Sequence, residues 1–243
     1  MNSYEQMVGA ELKEWQKKIT KRSSLVERYA KSVQKKVNKV IPDKVHDVVT
    51  TSVKTIVKGA LLGSEYTTKR HVLHHKNLEE REQLVKGKLL SYRRTAIVEG
   101  AGTGAGGLLL GVADFPLLLS IKMKFLFDAA SIYGFDVKDY RERLYIIYLF
   151  QLAFSSDDKR KEAYEKIVHW DETVNNYPVE STYLEQLDWK TFQQEYRDYM
   201  DLAKLLQLIP GIGAVFGAYS NYKLLDELGE VAMNGYRMRW FSK

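Results

Sequence analysis

Residues 98–119 read Val98-Glu-Gly-Ala-Gly-Thr-Gly-Ala-Gly-Gly-Leu-Leu-Leu-Gly-Val-Ala-Asp-Phe-Pro-Leu-Leu-Leu119, with six of the chain's 16 glycines between Gly100 and Gly111. Two incompatible structures suit such a run. One is a loop that cradles phosphate; the other is a helix shaved of side chains so that its neighbours can approach. Gly102-Thr-Gly104-Ala-Gly-Gly107 carries the letters GxGxxG. That fingerprint works only where a strand feeds a helix inside a βαβ unit, so that the helix N-terminus meets the pyrophosphate. The residues before it, Leu89 to Val98, are helix-like, and no parallel-strand pattern follows. A Walker loop fails as well, because no Gly-Lys-Ser/Thr occurs.

The spacing favours the helix. Gly100 and Gly104, Gly102 and Gly106, Gly107 and Gly111, and Gly213 and Gly217 each stand four apart, which puts each pair on one helix face. Bare positions at that interval allow close backbone approach, the small-xxx-small logic of apolar helix contacts. Glycine costs roughly 1 kcal/mol per helical position relative to alanine, so tertiary packing must offset it. No cofactor is expected.

Outward from this stretch the pattern stays helical. Ser3-Tyr-Glu-Gln6 reads as a capping box, followed by Val8, Leu12, Trp15 and Ile19 at helical spacing. A helix from Ser24 carries Leu25, Tyr29, Val33, Val37 and Val40 on one stripe, and Lys31, Lys35, Lys36 and Lys39 among its basic residues. Asp43 caps a third helix to about Leu62, with Val45, Val49, Val53, Ile56 and Ala60 on one side. Asn77-Leu-Glu-Glu80 opens another, with Leu78, Leu84 and Leu89, running into the glycines. Asp114 reads as a cap with Pro116 in the first turn; Gly134 is a left-handed stop; Asp136-Val-Lys-Asp139 starts the next helix. A short helix near 158–169 and longer ones from Asp188 and from about Ala214 to Arg239 complete the chain. No segment alternates long enough to demand a strand. The expected fold is all-α: a multi-helix bundle with two glycine-rich apolar helical hairpins, around 100–126 and 205–222. A basic amphipathic region at 1–62 precedes a helical core at 77–243 that holds an acidic insert at about 155–188.

Composition narrows the function classes. The chain has 243 residues, 45% hydrophobic and 28% charged, only four prolines and no cysteine. Disulfides, thiolate metal sites and cysteine nucleophiles are excluded. The net charge of +6 is unevenly placed. Lys13 to Lys44 holds eleven Lys/Arg against three acids, and Asp157 to Asp201 twelve acids against six bases. A basic arm of this kind suits an anionic membrane surface or nucleic acid; no nucleic-acid motif accompanies it, so nucleic acid is not the expected partner. A solvated helix face is the bland reading of the same lysines. The N-terminus, Met-Asn-Ser-Tyr-Glu-Gln, lacks a signal-peptide pattern, so a cytoplasmic protein is expected. Neither Gly100–Ala113 nor Leu205–Tyr222 is a convincing solitary membrane span, which takes roughly 20 apolar residues.

Few residues suggest chemistry. His71, His74 and His75 have the i, i+3, i+4 spacing of a metal pair, but no HExxH signature accompanies them; a polar connector is the simpler reading and no metal is expected. Lys124 and Asp128 pair at i, i+4. Lys122 shares a face with Leu118, Leu119, Phe125 and Ala129, so it must snorkel, pair, or perform a task. Glu99, Asp114, Lys122 and Asn221 are the candidate functional polar residues. Structural ion pairs imitate active sites, so none is assigned as catalytic. The candidate packing glycines are Gly102, Gly106, Gly111, Gly213 and Gly217. The candidate membrane-surface residues are Lys31, Lys35, Lys36 and Lys39.

The block from Glu99 to Asp136, with its glycine run, Ala113-Asp114, Lys122 and Ile132-Tyr-Gly-Phe-Asp136, resembles the bacterial EcsC family. So does Ile209-Pro-Gly-Ile-Gly-Ala-Val-Phe-Gly-Ala-Tyr-Ser-Asn-Tyr222. The resemblance implies a helical protein encoded beside the ATPase and membrane subunits of an ABC transporter linked to secretion, competence and intramembrane proteolysis. It brings no catalytic residues with it. Three functions follow as expectations. The first is a non-enzymatic accessory protein, peripheral at the inner face of the cell membrane, with ABC transporter subunits as partners. The second is an enzyme with a site around Glu99, Asp114, Lys122 and Asn221. The third is a soluble partner-binding module.

Overall fold

The computed structural model describes residues 2–19, 43–62, 76–103, 107–155, 157–176 and 217–242. Among these, eight α-helices follow one another: α1 (Ser3–Ile19), α2 (Asp43–Leu62), α3 (Leu78–Thr103), α4 (Gly107–Tyr133), α5 (Tyr140–Phe154), α6 (Asp157–Val168), α7 (Trp170–Thr173) and α8 (Gly217–Phe241), with a 3-10 turn at Val174–Asn176. No strand occurs among the described residues, and the fold is an all-α multi-helix bundle. The expected helices from Ser24 and from Asp188 lie outside the described residues.

Local chemistry sets most helix ends. Asn77 and Glu80 form a reciprocal capping box: the Glu80 N–H donates to Asn77 Oδ1 at 3.0 Å and the Asn77 N–H to Glu80 Oε2 at 3.0 Å. The box on α1 lies one residue earlier than expected. Asn2 and Glu5 make it, at 2.8 and 3.0 Å, instead of Ser3 and Gln6; a carboxylate suits the positive end of the helix better than an amide does. Asp136 closes a turn instead of starting α5. Asp139 is the true cap, its Oδ1 accepting from the Arg141 N–H at 2.8 Å.

Gly134 ends α4 with φ +94°. The Phe135 N–H reaches the Ala130 carbonyl at 3.0 Å and the Gly134 N–H the Ser131 carbonyl at 3.1 Å, a Schellman closure. A Cβ at this position would stand 2.7 Å from Arg81 Nη1. That guanidinium is fixed by its own bonds to the Ile132 and Lys76 carbonyls.

Helix α4 is the hub, touching α2, α3, α5 and α8. It packs antiparallel to α3. Tyr92 meets Phe125, Lys88 meets Asp128, and Arg81 caps Ile132. Helix precedes and follows the glycines, so the strand that a dinucleotide loop needs is not there. Gly107 and Gly111 both lie in α4 and Gly102 in α3; Gly217 opens α8; Gly104, Gly106 and Gly213 lie outside the described residues. Asp114 does not cap α4, and Pro116 is not in its first turn. The helix begins at Gly107 and runs through the proline. Proline removes one backbone donor, which the long packed helix absorbs.

The core is contiguous. Val8, Leu12 and Trp15 of α1, Val53, Ile56, Val57, Ala60 and Leu61 of α2, most of α5 and the inward faces of α4 and α8 share one apolar cluster. On α3 the buried stripe is Leu78, Val85 and Leu89. Leu84 was expected there but is 40% exposed, because 3.6 residues per turn carries it about a third of a turn off that stripe. Helix α5 is buried all round. In α6 and α7, Tyr164, Ile167 and Trp170 pack inward; Trp170 lies against Tyr145 and Tyr148.

Candidate functional site

Two clusters of buried charge stand out. The first joins α1, α3 and α8. Arg237 forks onto Glu82, with Nε 2.7 Å from Oε1 and Nη2 2.7 Å from Oε2. The Tyr4 hydroxyl donates to the same Oε2 at 2.8 Å. Arg237 Nη1 reaches Glu11 at 3.1 Å and Asn234 at 3.2 Å. Beside it, Glu142 of α5 accepts from the Tyr236 hydroxyl at 2.8 Å and from Arg239 Nη1 at 2.6 Å. The Arg239 guanidinium also lies 3.7 Å from the Phe135 ring centroid and 4.6 Å from that of Tyr145. Burial pushes the Glu142 carboxyl above its ordinary range, and Arg239 only partly counters it. Burial and the bond to Glu82 push the Tyr4 hydroxyl well up. These groups are spent on one another. They bind helix to helix.

The second cluster lies along α4. Asp128 is buried and receives the Tyr92 hydroxyl at 2.9 Å, Lys88 at 3.1 Å and Lys124 at 3.2 Å. Burial opposes its charge, but the bonds from Lys88 and Tyr92 and the charge of Lys124 outweigh it and hold the carboxyl below its ordinary range. The expected Lys124–Asp128 pair is therefore present, as part of a three-donor site.

Lys122 is different. It is 0% exposed and its Nζ has no hydrogen-bond partner. Leu118, Leu119, Phe125, Leu126 and Ala129, at helical spacing around it, are all buried. Desolvation pushes its ammonium down to about 7. Of the three fates open to it, the lysine neither snorkels nor pairs.

The backbones of Glu99, Asp114 and Asn221 lie in α3, α4 and α8; their side chains lie outside the description, as do Lys31, Lys35, Lys36 and Lys39 with their helix, and His71, His74 and His75. Among the described residues no group of three His, Cys, Asp or Glu could hold a metal. No described helix is long and apolar enough to cross a membrane.

Several residues were not anticipated. Glu82 is one, although it falls on the Leu78–Val85–Leu89 stripe, and an acid on an apolar stripe is a readable signal. Arg237, Glu142 and Arg239 carried no such signal. Two close-approach glycines were not anticipated either, while the surroundings of Gly102, Gly106, Gly111, Gly213 and Gly217 lie outside the description. A Cβ on Gly229 would stand 2.7 Å from Leu89 Cδ2, and one on Gly235 would collide with Leu149.

The model of the EcsC protein family matches residues 6–241, nearly the whole chain. The chain belongs to that family. It is 48% identical over 234 residues to "Protein EcsC" of Bacillus subtilis (strain 168), covering 96% of this chain and 95% of that protein. It is 31% identical over 158 residues to "Uncharacterized protein YdbA" of the same organism, covering 65% of this chain and 57% of that one. No solved structure matches. The family match spans both charge clusters, from Glu11 and Glu82 through Lys122 and Asp128 to Arg239.

Proposed function

We propose that this EcsC-family protein is a non-enzymatic helical accessory factor that attaches peripherally to the cytoplasmic face of the membrane and works beside an ABC transporter. One observation carries the reading. Helix α1 docks on the core through Val8, Leu12 and Trp15, while Lys13, Lys17 and Lys18 are solvent-exposed. These lysines begin the arm in which eleven bases face three acids between Lys13 and Lys44. Each exposed base adds about 1 kcal/mol of attraction at an anionic leaflet, and the effect falls off within a Debye length. The buried acids and arginines add a second support, because their partners are other helices of the same fold.

Co-sedimentation with phosphatidylglycerol vesicles across a salt series tests the reading. Binding at low salt is expected to fade as salt rises. It is also expected to vanish when Lys31, Lys35, Lys36 and Lys39 are all changed to Glu, and to be absent from neutral vesicles. Equal sedimentation of both proteins at every salt concentration would remove the arm from the account. Co-purification with transporter subunits tests the partner.

A further inference from the structure

We propose that the outward face of α3 is a self-association surface, taken by a second copy of this chain whose α3 runs antiparallel, with the two-fold axis passing beside Gly87. The face is open. Leu84 is 40% and Leu90 50% exposed, and Gly87 and Arg94 are exposed with them. At 3.6 residues per turn the two leucines stand about 60° to either side of Gly87, one three residues before it and one three after. Nothing in the protein's own packing asks for glycine there, because a Cβ would meet no atom within 4 Å. Glycine nevertheless weakens the helix. A bare position between two exposed leucines suits a backbone arriving from outside, since small residues let two helices approach closely.

Charge fixes the occupant and its direction. Glu80 lies seven residues before Gly87 and Arg94 seven after, each about 20° from the centre of the face. An antiparallel pair centred on Gly87 therefore sets Leu84 level with the partner's Leu90 and Glu80 level with the partner's Arg94. Two-fold symmetry makes each contact twice. A parallel pair would set Glu80 against its own copy and Arg94 against its own, like charge on like, and would align the two helix dipoles. Glu80 can take this second role from where it stands. Its Oε2 accepts from the Asn77 N–H and its Oε1 lies 3.5 Å from Lys76, with 43% of the side chain exposed. A lipid leaflet would ask only for leucines and bases. The mirrored order of acid, leucine, glycine, leucine and base is what a second copy reads. From Glu80 to Arg94 the face is about 21 Å long, so the contact is small and the dimer reversible.

Sedimentation velocity of the full chain over a concentration series, without lipid, tests the surface. Wild type is expected to pass from monomer to dimer as concentration rises. Gly87→Gln is a better helix former, so it is expected to keep its far-ultraviolet helicity while the dimer weakens about tenfold or more. Leu84→Gln with Leu90→Gln is expected to do the same. Arg94→Glu and Glu80→Lys, each alone, set like charges across the axis and are expected to stay monomeric. An equimolar mixture of these two is expected to regain the dimer, because every pair then joins one acid and one base again. Recovery on mixing cannot come from a damaged fold, so the lost cap of Glu80→Lys does not blur it. Three results would overturn the proposal: a wild type that is monomeric at every concentration, a dimer untouched by Gly87→Gln, or no recovery on mixing. A monomeric wild type whose binding to phosphatidylglycerol vesicles needs Leu84 and Leu90 would give the face to lipid instead. The lysines of the basic arm take no part, so failure of the membrane reading leaves this one standing.

Discussion

Arg237 and Glu82 stand 155 positions apart in the chain and meet through two parallel hydrogen bonds of 2.7 Å, both side chains nearly closed to solvent. The pair fastens α8 to α3, and Tyr4 and Glu11 hang α1 on the same two side chains. Removing one partner leaves the other charge buried and bare, which costs about 3–5 kcal/mol. Glu82→Gln and Arg237→Met are each expected to lower the unfolding free energy, read from urea denaturation, by that order. The double change Glu82→Leu with Arg237→Met is expected to recover much of the loss, because it removes both desolvation penalties. A double change as damaging as the sum of the singles would show that the pair is not the coupled unit.

Stability is expected to rise with pH above neutrality, through Lys122. The unfolded amine titrates near its ordinary value of 10.5, and burial brings the folded one down to about 7. Between these values the unfolded chain holds more protons, so raising the pH favours the folded state. Below pH 7 the full penalty of burying the ammonium remains, on the order of a few kcal/mol. The stability gap between Lys122→Met and wild type is therefore expected to be widest below pH 7 and to shrink steadily towards pH 9.5. Chemical denaturation at a series of pH values measures it. A gap independent of pH would mean that the amine does not titrate in this window.

Two glycines are expected to respond to alanine in opposite directions. Gly87 is in the interior of α3, and a Cβ there meets nothing within 4 Å. Gly87→Ala is expected to stabilise by about 0.5–1 kcal/mol through helix propensity alone. Gly134 has φ +94° and faces the anchored Arg81 guanidinium. Gly134→Ala is expected to destabilise by about 1–3 kcal/mol. Thermal unfolding of both variants checks the signs.

Arg143 acts as a backbone staple. Its Nε donates to the Leu61 carbonyl at 2.8 Å, where α2 ends, and its Nη1 to the Lys138 carbonyl at 2.6 Å. Arg143→Lys keeps the charge but loses the planar fork. The expected loss is about 1–3 kcal/mol, with faster amide exchange at the end of α2. Unchanged exchange there would separate the staple from the helix end.

What was legible in the chain was local. Asn77 with Glu80, Gly134 as a stop, Asp43 to Leu62 as a helix, and Lys124 with Asp128 all depend on partners within about six residues, where backbone geometry alone brings them together. Misplacements were local too. Asn2 outcompeted Ser3 as cap, Asp139 took the place given to Asp136, and Pro116 sits inside α4, because neighbouring capping residues compete and a helix gripped by four others tolerates a missing rung. Leu84 shows the limit of reading leucines as core, since the stripe that packs runs through Val85.

The helical class, the uneven charge and the oddity of a lysine among leucines were all written in residue order, because each depends on spacing along one chain. That Glu82 finds Arg237, that Gly229 and Gly235 bring Leu89 and Leu149 close, and that Lys122 finds no partner were settled by packing. Whether a buried charge is satisfied depends on every helix that surrounds it, and those helices come together only when the chain folds.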